Sequence, residues 1–575
     1  MKLNKIIRSG FVLMTCILLS TGCGKQFLDE KPLDFYTPDN ALQTKSDFQS
    51  SVNNLYNRFR SILIGGINLD ANFALRYATD FAVNATDYNP PVKLNDYKNT
   101  MVPEFFVVSE IWNDFYKIIL NANVIIDRAK ISSQLSEEDK AEFTGEALFF
   151  RAVSYNILAD LYGGVPLILN EVKEPRRDYV RASREDVYKQ CASDLEQAAD
   201  FLKNVDEVES GKANKQAAQH VLTEVYISLG NLDMAISTAS KVIDYPGLGI
   251  MTERFGRHAN DPGDVYRDLF ELNNQSRSSG NKEGIFVIKT TFQNKASLRD
   301  FTQWAMIPDM ANLRVQAKAA DGSIQTFPAI MGYNDKWSGR GVGWMRPTSH
   351  FLYEIWGEND IRNSQYNIIR DFRMDGLPAN SPDFGKWYVK DGFAAKTNYF
   401  GDTIRNWFPI IKKVTLSEGD FPSDYYKIGP DGKPEKSPLG GTILTNDSEN
   451  SFKDSYFIRL AETYLLRAEA YIKKGEKQKA ADDINVLRAR AHASLASAGE
   501  MDIDYLLDER LRELYGEELR MVTLTRMGKL YDRDVKYNEK SGKSIQPYHN
   551  LWPIPFSEIE RNTGAELKQN PGYSE

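Results

Sequence analysis

The chain has 575 residues, of which 42% are hydrophobic and 26% are charged, as in an ordinary globular protein with a sizeable core. Its formal charge is −8 and no basic stripe stands out, so a nucleic acid is not an expected partner. No uncharged apolar run after the first 22 residues is long enough to predict a membrane-spanning helix.

The amino terminus has the pattern of a secretory signal peptide of the lipoprotein type. Residues 1–10 carry a basic head, residues 11–19 are mostly apolar, and the small residues 20–22 precede Cys23. The apolar run is too short for a membrane-spanning helix, which needs about 20 residues. We predict cleavage after residue 22 and lipidation of Cys23, so the mature protein is exported and held at a membrane by its acyl chains.

Three cysteines occur in the sequence, and the predicted processing leaves one of them as a free thiol. Cys16 leaves with the signal peptide and Cys23 carries the lipid. Cys191 remains, so we expect no intrachain disulfide, although an exported protein could form one. A cysteine metal site is excluded for the same reason. The helical pattern around Cys191 predicts a small buried side chain.

The predicted elements are helices at both ends of the chain and an irregular middle. Amphipathic periodicity predicts helices over 41–63, 110–130, about 136–161, 184–203, 213–229 and 231–244. From about 246 to 450 glycine and proline become frequent, and short apolar runs such as 285–288 predict strands. Helical periodicity returns over 455–473, 476–492 and 502–530.

An internal repeat indicates the architecture of the helical parts. The stretch AEAYIKKGEKQKA (468–480) matches TEVYISLGNLDMA (223–235) without a gap. A helix, a glycine turn and a second helix with a small alanine at the contact are typical of a tetratricopeptide hairpin. We predict about four helix pairs, with 41–63 pairing 110–130 and 140–162 pairing 184–203 as the other two.

The predicted fold class is mostly α, a tetratricopeptide-like α–α superhelix with a large irregular, loop-rich insertion that contains short strands. The predicted divisions are a signal peptide, a lipidated linker, an amino-terminal helical-repeat part, a variable ligand-binding insertion and a carboxy-terminal helical-repeat part. The signal peptide covers residues 1–22 and the linker covers 23–40. The amino-terminal part covers 41–245, the insertion 246–450 and the carboxy-terminal part 451–575.

Several sequence blocks follow one another in the order of a known family. The first block is Phe27-Leu28-Asp29 with Pro32, and the second is the segment 111–126 with Trp112, Tyr116, Asn121 and Asn123. The others are the segments 145–167, 458–491, 509–530, 553–562 and 569–573. Together they span nearly the whole chain and resemble the SusD/RagB family of lipoproteins. The resemblance implies four tetratricopeptide-like helix pairs that cradle a variable loop-rich region.

The same resemblance implies a location and a role. Members of this family are expected on the outer membrane of a Gram-negative bacterium, facing outward, as hinged lids over a SusC-like TonB-dependent transporter. The implied function is non-catalytic capture of an oligosaccharide and its delivery to the transporter. In some branches of the family the ligand is a peptide, and that alternative stays open. No cofactor is expected.

Signatures of enzymes are missing from the sequence. The five histidines are scattered, with no HExxH pattern, and no GxSxG elbow occurs. The glycine-rich segment 339–343 runs into Trp344 instead of opening a capped helix, so we interpret it as a flexible loop and not as a phosphate cradle. We predict no catalytic residue and no metal ligand. The charged residues of the hallmark blocks are interpreted as ion pairs of the scaffold, namely Glu146, Arg151, Arg459, Glu462 and Glu469.

Candidate binding residues come from two segments, 76–99 and 301–346, that mix aromatic and polar side chains. An aromatic ring can stack on the apolar face of a sugar while amides, carboxylates and guanidinium groups bind its hydroxyls. The candidates are Tyr77, Asp80, Asn84, Asp87, Tyr88, Trp304, Trp337, Arg340 and Trp344. Trp337 has the most polar neighbours and is the first choice. The remaining large rings in helical or apolar patterns are predicted to be core, namely Trp112, Trp356, Trp407 and Trp552.

Two functions of other classes remain open. A surface glycoside hydrolase would need a pair of carboxylates in an aromatic cleft, for which Asp80, Asp87 and Asp309 are the residues to test. A structural adaptor would bind another protein on the concave face of the helical repeat and no small ligand.

Overall fold

The computed structural model describes residues 42–65, 69–85, 94–290, 301–396 and 405–574. The predicted signal peptide and the whole predicted linker, including Cys23, lie outside these residues, as do Asp87 and Tyr88. Within the described ranges, no helix combines the length and the apolar character that crossing a membrane requires.

The described helices are α1 (Lys45–Ile64), α2 (Leu69–Ala74), α3 (Tyr97–Thr100), α4 (Phe106–Ile131), α5 (Glu137–Tyr162), α6 (Arg184–Phe201), α7 (Lys215–Ser228), α8 (Leu232–Ile243), α9 (Val265–Asp268), α10 (Phe301–Met306), α11 (Leu460–Lys474), α12 (Lys477–Arg490), α13 (Ile503–Leu514), α14 (Arg520–Arg526), α15 (Leu530–Tyr537) and α16 (Phe556–Arg561). The strands are β1 (Ala82–Asn84), β2 (Gly284–Ile288), β3 (Arg314–Lys318), β4 (Ile324–Pro328), β5 (Met345–Pro347), β6 (Ile368–Ile369), β7 (Ile410–Ile411) and β8 (Ser455–Arg459).

The four predicted helix pairs are present. α1 packs on α4, α5 on α6, α7 on α8, and α11 on α12. The pairs also stack on one another, since α6 contacts α7 and α8 contacts α11. The last contact adds the carboxy-terminal pair to the amino-terminal ones, with the whole insertion lying between them in sequence.

The two repeated hairpins turn in the same way. Gly230 and Gly475 both have positive φ values, 75° and 80°, which lie in the left-handed region that favours glycine. The amide after each glycine donates to a carbonyl five residues back, with a distance of 2.9 Å at both turns. Ala235 and Ala480 are fully buried at the helix contacts. The prediction from the repeat is confirmed residue by residue.

The centre of the scaffold is α5. Ser136 caps its amino end by accepting a hydrogen bond of 3.1 Å from the amide of Asp139. From Gly145 to Tyr162 every residue is buried, because α1, α4, α6 and α14 all pack around this helix. A helix surrounded in this way needs no polar face over that stretch.

Buried ion pairs hold the scaffold together, as the sequence indicates for the charged hallmark residues. Arg151 binds Asp194 at 2.7 Å, Arg459 binds Glu513 at 2.7 Å, and Glu469 binds Arg526 at 2.6 Å. The thiol of Cys191 is free and fully buried, and burial raises its pKa well above the usual value. Cys191 therefore packs as a small apolar group, as predicted.

Two predicted helix boundaries are wrong. The segment 455–459 is strand β8, and the helix begins only at Leu460. The β-branched and aromatic residues of β8 pair with β2, the strand predicted over 285–288, in an antiparallel ladder. The predicted helix over 502–530 is divided into α13 and α14, and Gly516, with φ of 77°, lies between them.

The insertion contains short strands, as predicted. The described strands form four two-stranded antiparallel sheets, β1–β5, β2–β8, β3–β4 and β6–β7. Two of these pairings join the insertion to other parts of the chain. The β2–β8 ladder attaches it to the carboxy-terminal helices, and the β1–β5 ladder attaches it to the segment before α3.

Candidate functional site

The β1–β5 ladder brings together the two segments from which the candidate residues were taken. Asn84 pairs with Met345 across the ladder, and the amide of Ala85 donates to the carbonyl of Trp344 at 2.8 Å. The amide of Thr348 donates to the carbonyl of Phe81, also at 2.8 Å. Residues separated by about 260 positions in the sequence thus share one rigid backbone frame.

Three aromatic rings cluster at the end of this ladder. The rings of Trp304 and Trp344 lie with their centroids 4.6 Å apart at an interplanar angle of 60°. Phe73, from α2, meets Trp344 edge-on at 5.9 Å. Both tryptophans are half-buried, so each retains accessible ring surface. We call these three residues the tryptophan platform.

The platform is held by very close backbone contacts. A Cβ atom on Gly341 would lie 2.2 Å from the carbonyl oxygen of Ile307, and one on Gly343 would lie 2.2 Å from that of Arg405. The amide between them, of Val342, donates to the carbonyl of Trp304 at 2.9 Å. Segment 339–343 is an irregular loop that opens no helix, as interpreted from the sequence, and its glycines permit tight packing that fixes Trp344 beside Trp304.

Polar side chains lie next to the platform. The amide of Asp309 donates to the carbonyl of Arg405 at 3.0 Å, and the two side chains form an ion pair of 3.5 Å. The side-chain amide of Asn312 donates to the Asp309 carboxylate at 2.9 Å. Asp309 is buried, whereas the Arg405 guanidinium is partly exposed. Asp309 therefore positions Arg405, which is the group that remains within reach of a ligand.

Trp337 belongs to a second aromatic cluster, which Arg340 follows three residues later in the sequence. The ring of Trp337 packs edge-on against Phe372 with centroids 6.0 Å apart, and Phe372 stacks on Tyr388 at 5.0 Å. The Lys336 ammonium lies 5.1 Å from the Trp337 ring. Arg340 forms an ion pair with Glu449. Both candidates are half-buried, and their contacts serve the packing of the insertion.

Burial corrects three of the predicted ligand contacts. Asp80 is fully buried between the guanidinium groups of Arg520 and Arg533. Burial alone would raise its pKa, but these two charges hold the pKa well below its usual range. Tyr77 and Asn84 are also buried, in the core beside the β1–β5 ladder. The loop-like composition of this segment predicts exposed side chains, whereas these three side chains are buried by residues from distant parts of the chain. Asp87 and Tyr88 remain predictions.

The predicted core tryptophans lie where expected. Trp112 and Trp552 are buried, and Trp356 and Trp407 pack partly buried against the core. Phe73 and Arg405, in contrast, were missed by sequence reasoning. No local pattern marks either residue, because each reaches the platform only through contacts between distant segments.

Two of the charged hallmark residues, Glu462 and Glu469, are unsuited to acid catalysis. Burial alone would raise the pKa of Glu462, yet the charge of Arg510 lowers it to about 2. Arg526 likewise lowers the pKa of Glu469 to about 2. A general acid at neutral pH requires the opposite shift. At neutral pH these two groups are ionised members of buried ion pairs.

Two family models match the chain. The model described as SusD family matches residues 424–573, and the model described as starch-binding, associating with outer membrane, matches residues 26–227. Together the two matches cover more than half of the sequence. The chain belongs to the SusD/RagB family. The family resemblance inferred from the sequence blocks is thereby confirmed.

Curated relatives support the assignment of this SusD/RagB protein. SusD-like protein P25 of Formosa agariphila is 25% identical, in an alignment that covers 98% of this chain and 97% of the relative. The starch-binding protein SusD of Bacteroides thetaiotaomicron is 39% identical over 126 residues, which are 21% of this chain and 22% of the relative.

Solved structures share the fold of this SusD/RagB protein. A laminarin-binding SusD-like protein superposes with a TM-score of 0.64 at 20% identity, over 92% of this chain and 100% of that chain. Surface glycan-binding protein A from Bacteroides uniformis superposes with a TM-score of 0.63 at 16% identity, over 92% and 99% of the two chains. The predicted helical fold with a loop-rich insertion is therefore that of SusD-like proteins.

Proposed function

We propose that this SusD/RagB protein is a non-catalytic surface lipoprotein that captures an oligosaccharide on the tryptophan platform. The observation that carries the proposal is the pair of half-buried tryptophans fixed by the β1–β5 ladder, with Arg405 alongside. Relatives named for starch, laminarin and surface glycans support a carbohydrate as the ligand. Asp87 and Tyr88, from the neighbouring segment, remain candidate contacts, as do Trp337, from the second aromatic cluster, and Arg340.

The chemistry of the platform suits a sugar chain. The apolar C–H face of a pyranose ring stacks on indole, which is large, rigid and loses little conformational freedom on binding. The Arg405 guanidinium can donate to ring hydroxyls, and stacking tolerates many units along a polymer. Capture in this way breaks no bond, and the buried, ion-paired state of Asp80 and Asp309 counts against a hydrolase that uses them.

The location and partner follow from the family and from Cys23. The proposed anchor is a lipid on Cys23, and the family description "associating with outer membrane" supports an outer-membrane location. From there, facing outward, the protein would close over a SusC-like TonB-dependent transporter and pass on the captured glycan. Co-purification from detergent-solubilised membranes tests this partnership, and recovery of the lipoprotein without any barrel would count against it.

The glycan site is tested by isothermal calorimetry against a panel of soluble glycans and a peptide pool. We expect binding of one glycan class, and at least a tenfold loss of affinity, about 1.4 kcal/mol, in Trp344→Ala and Trp304→Ala. The matched control is Trp387→Ala, which removes a ring that is 40% exposed and lies outside the platform. Equal affinity of all three variants, or binding of peptides only, would contradict the proposal.

A further inference from the structure

Three potential metal ligands meet outside the glycan site. His258 lies in the segment between α8 and α9, Glu271 follows α9, and Asp420 belongs to the insertion. One ligand atom from each lies within 4.8 Å of those of the other two. Glu271 and Asp420 are buried, and His258 is half-buried.

The imidazole of His258 is oriented for a ligand on its Nε2 atom. Its Nδ1 atom lies 2.6 Å from a carboxylate oxygen of Asp261, so Nδ1 carries the donated proton. Its Nε2 atom lies 3.2 Å from the Asp420 carboxylate, so a protonated ring donates to both carboxylates. A metal ion bound here would take the place of the Nε2 proton between the imidazole and the Asp420 carboxylate. An Asp–His pair of this kind orients many metal-binding imidazoles.

Glu271 has a buried carboxylate oxygen without a hydrogen-bond partner among the described residues. Its Oε1 atom accepts hydrogen bonds from Arg267 at 2.6 Å and from Ser417 at 2.9 Å. Its Oε2 atom is buried and has no hydrogen-bond partner among the described residues. The residue is 96% buried, and a buried carboxylate oxygen without a partner is costly. A cation at the cluster would satisfy this oxygen.

We propose that His258, Glu271 and Asp420 bind one divalent transition-metal ion, with Zn²⁺ as the best match. One imidazole nitrogen and two carboxylates form a ligand set that zinc accepts, with water in the fourth position. Ligands of a tetrahedral zinc ion lie roughly 3.3 Å apart. The His258–Asp420 pair, at 3.2 Å, already has that separation, and Glu271 must approach by about 1.5 Å at most.

One neighbouring cation has to give way to the metal. Arg257 lies 3.1 Å from the Asp420 carboxylate, but its side chain is 53% exposed and can turn into solvent. The more buried Arg267 stays on the other oxygen of Glu271 and does not compete. The site therefore has an open side through which an ion and a water molecule can enter.

The bound ion would act as a structural brace. Gly419, next to Asp420, donates its amide to Asp335 at 3.3 Å, and Asp335 begins the turn that contains Trp337. Joining Asp420 to His258 and Glu271 would thus tie the second aromatic cluster to the segment around α9. The expected effect is stability of the insertion, without a direct role in glycan contact.

The experiment uses the metal-stripped mature protein, titrated with ZnCl₂ by calorimetry and with CoCl₂ by visible absorption. We expect one equivalent of Zn²⁺ to bind with a rise in Tm, and Co²⁺ to give the absorption of a tetrahedral centre. His258→Gln and Asp420→Asn should weaken binding at least tenfold, whereas His492→Gln, which changes an exposed histidine outside the cluster, should not.

Failure to bind zinc at millimolar concentration would overturn the proposal, as would binding that the two cluster variants leave unchanged. If a variant does not fold, as judged by circular dichroism, the stoichiometry and the cobalt spectrum of the unmodified protein still decide. Glycan affinity is measured separately, so the failure of either proposal leaves the other distinguishable.

Discussion

Replacement of Asp80 by asparagine separates a scaffold role from a binding role at this position. The carboxylate accepts hydrogen bonds from Arg520 at 2.8 and 2.7 Å and from Arg533 at 2.8 Å, and all three residues are buried. Asp80→Asn keeps the shape and removes the charge. Two buried guanidinium groups then lose a counter-charge that they share.

The size of the effect follows from these contacts. Removing one partner of a buried ion pair costs about 3–5 kcal/mol. Arg520 retains Glu518, and Arg533 retains Asp508, so we expect the lower end of that range, about 3 kcal/mol. The free energy of unfolding is measured by urea denaturation with circular dichroism. The matched control is Asp178→Asn, whose partner Arg176 is exposed, and it should leave the free energy of unfolding nearly unchanged.

The glycan affinity of the same variant provides a second measurement. The folded Asp80→Asn protein should keep its glycan affinity, since Asp80 touches no accessible surface. A loss of stability below about 1 kcal/mol would refute the reasoning about the buried arginines. A tenfold loss of affinity without loss of stability would instead return Asp80 to the binding surface.

Three further predictions concern pH and backbone packing. Burial lowers the pKa of Lys412 to about 7 in the folded protein, so above that pH the unfolded chain binds more protons than the folded one. Tm should therefore rise from pH 7 towards pH 10. The variant Lys412→Met should show a smaller rise. The pKa of Glu469 is about 2 when folded, so its stabilising contribution should be lost as pH falls from about 4.5 towards 2, with Glu469→Gln showing a weaker acid dependence of Tm. Gly341→Ala should lower both Tm and glycan affinity, because its Cβ would clash with a backbone oxygen, whereas Gly249→Ala, with open space around it, should change neither measurement.

The helical frame could be predicted because its signals are local. The apolar periodicity marks each helix, and the paired glycines at 230 and 475 mark equivalent turns. The start of α11 was misplaced because β8 runs directly into it, and the strand forms only through pairing with β2. Local patterns contain no information about that partner.

The site could be predicted only in part. Aromatic composition pointed to Trp304 and Trp344, but their contact depends on the close approach of Gly343 to Arg405. Asp80 was misassigned because its arginine partners lie 440 and 453 residues further along the chain. Non-local contacts of this kind decide whether a polar side chain is a ligand contact or part of the core.

The contact between α8 and α11 has a consequence for how the chain diversifies. These helices are neighbours in space, although residues 244–459 separate them in the sequence. The entropic cost of closing such a loop rises only with the logarithm of its length, by about 0.6 kcal/mol for each doubling. Exposed loops of this segment can thus change in length at little cost in loop-closure entropy, while the contact between the two helices stays unaltered.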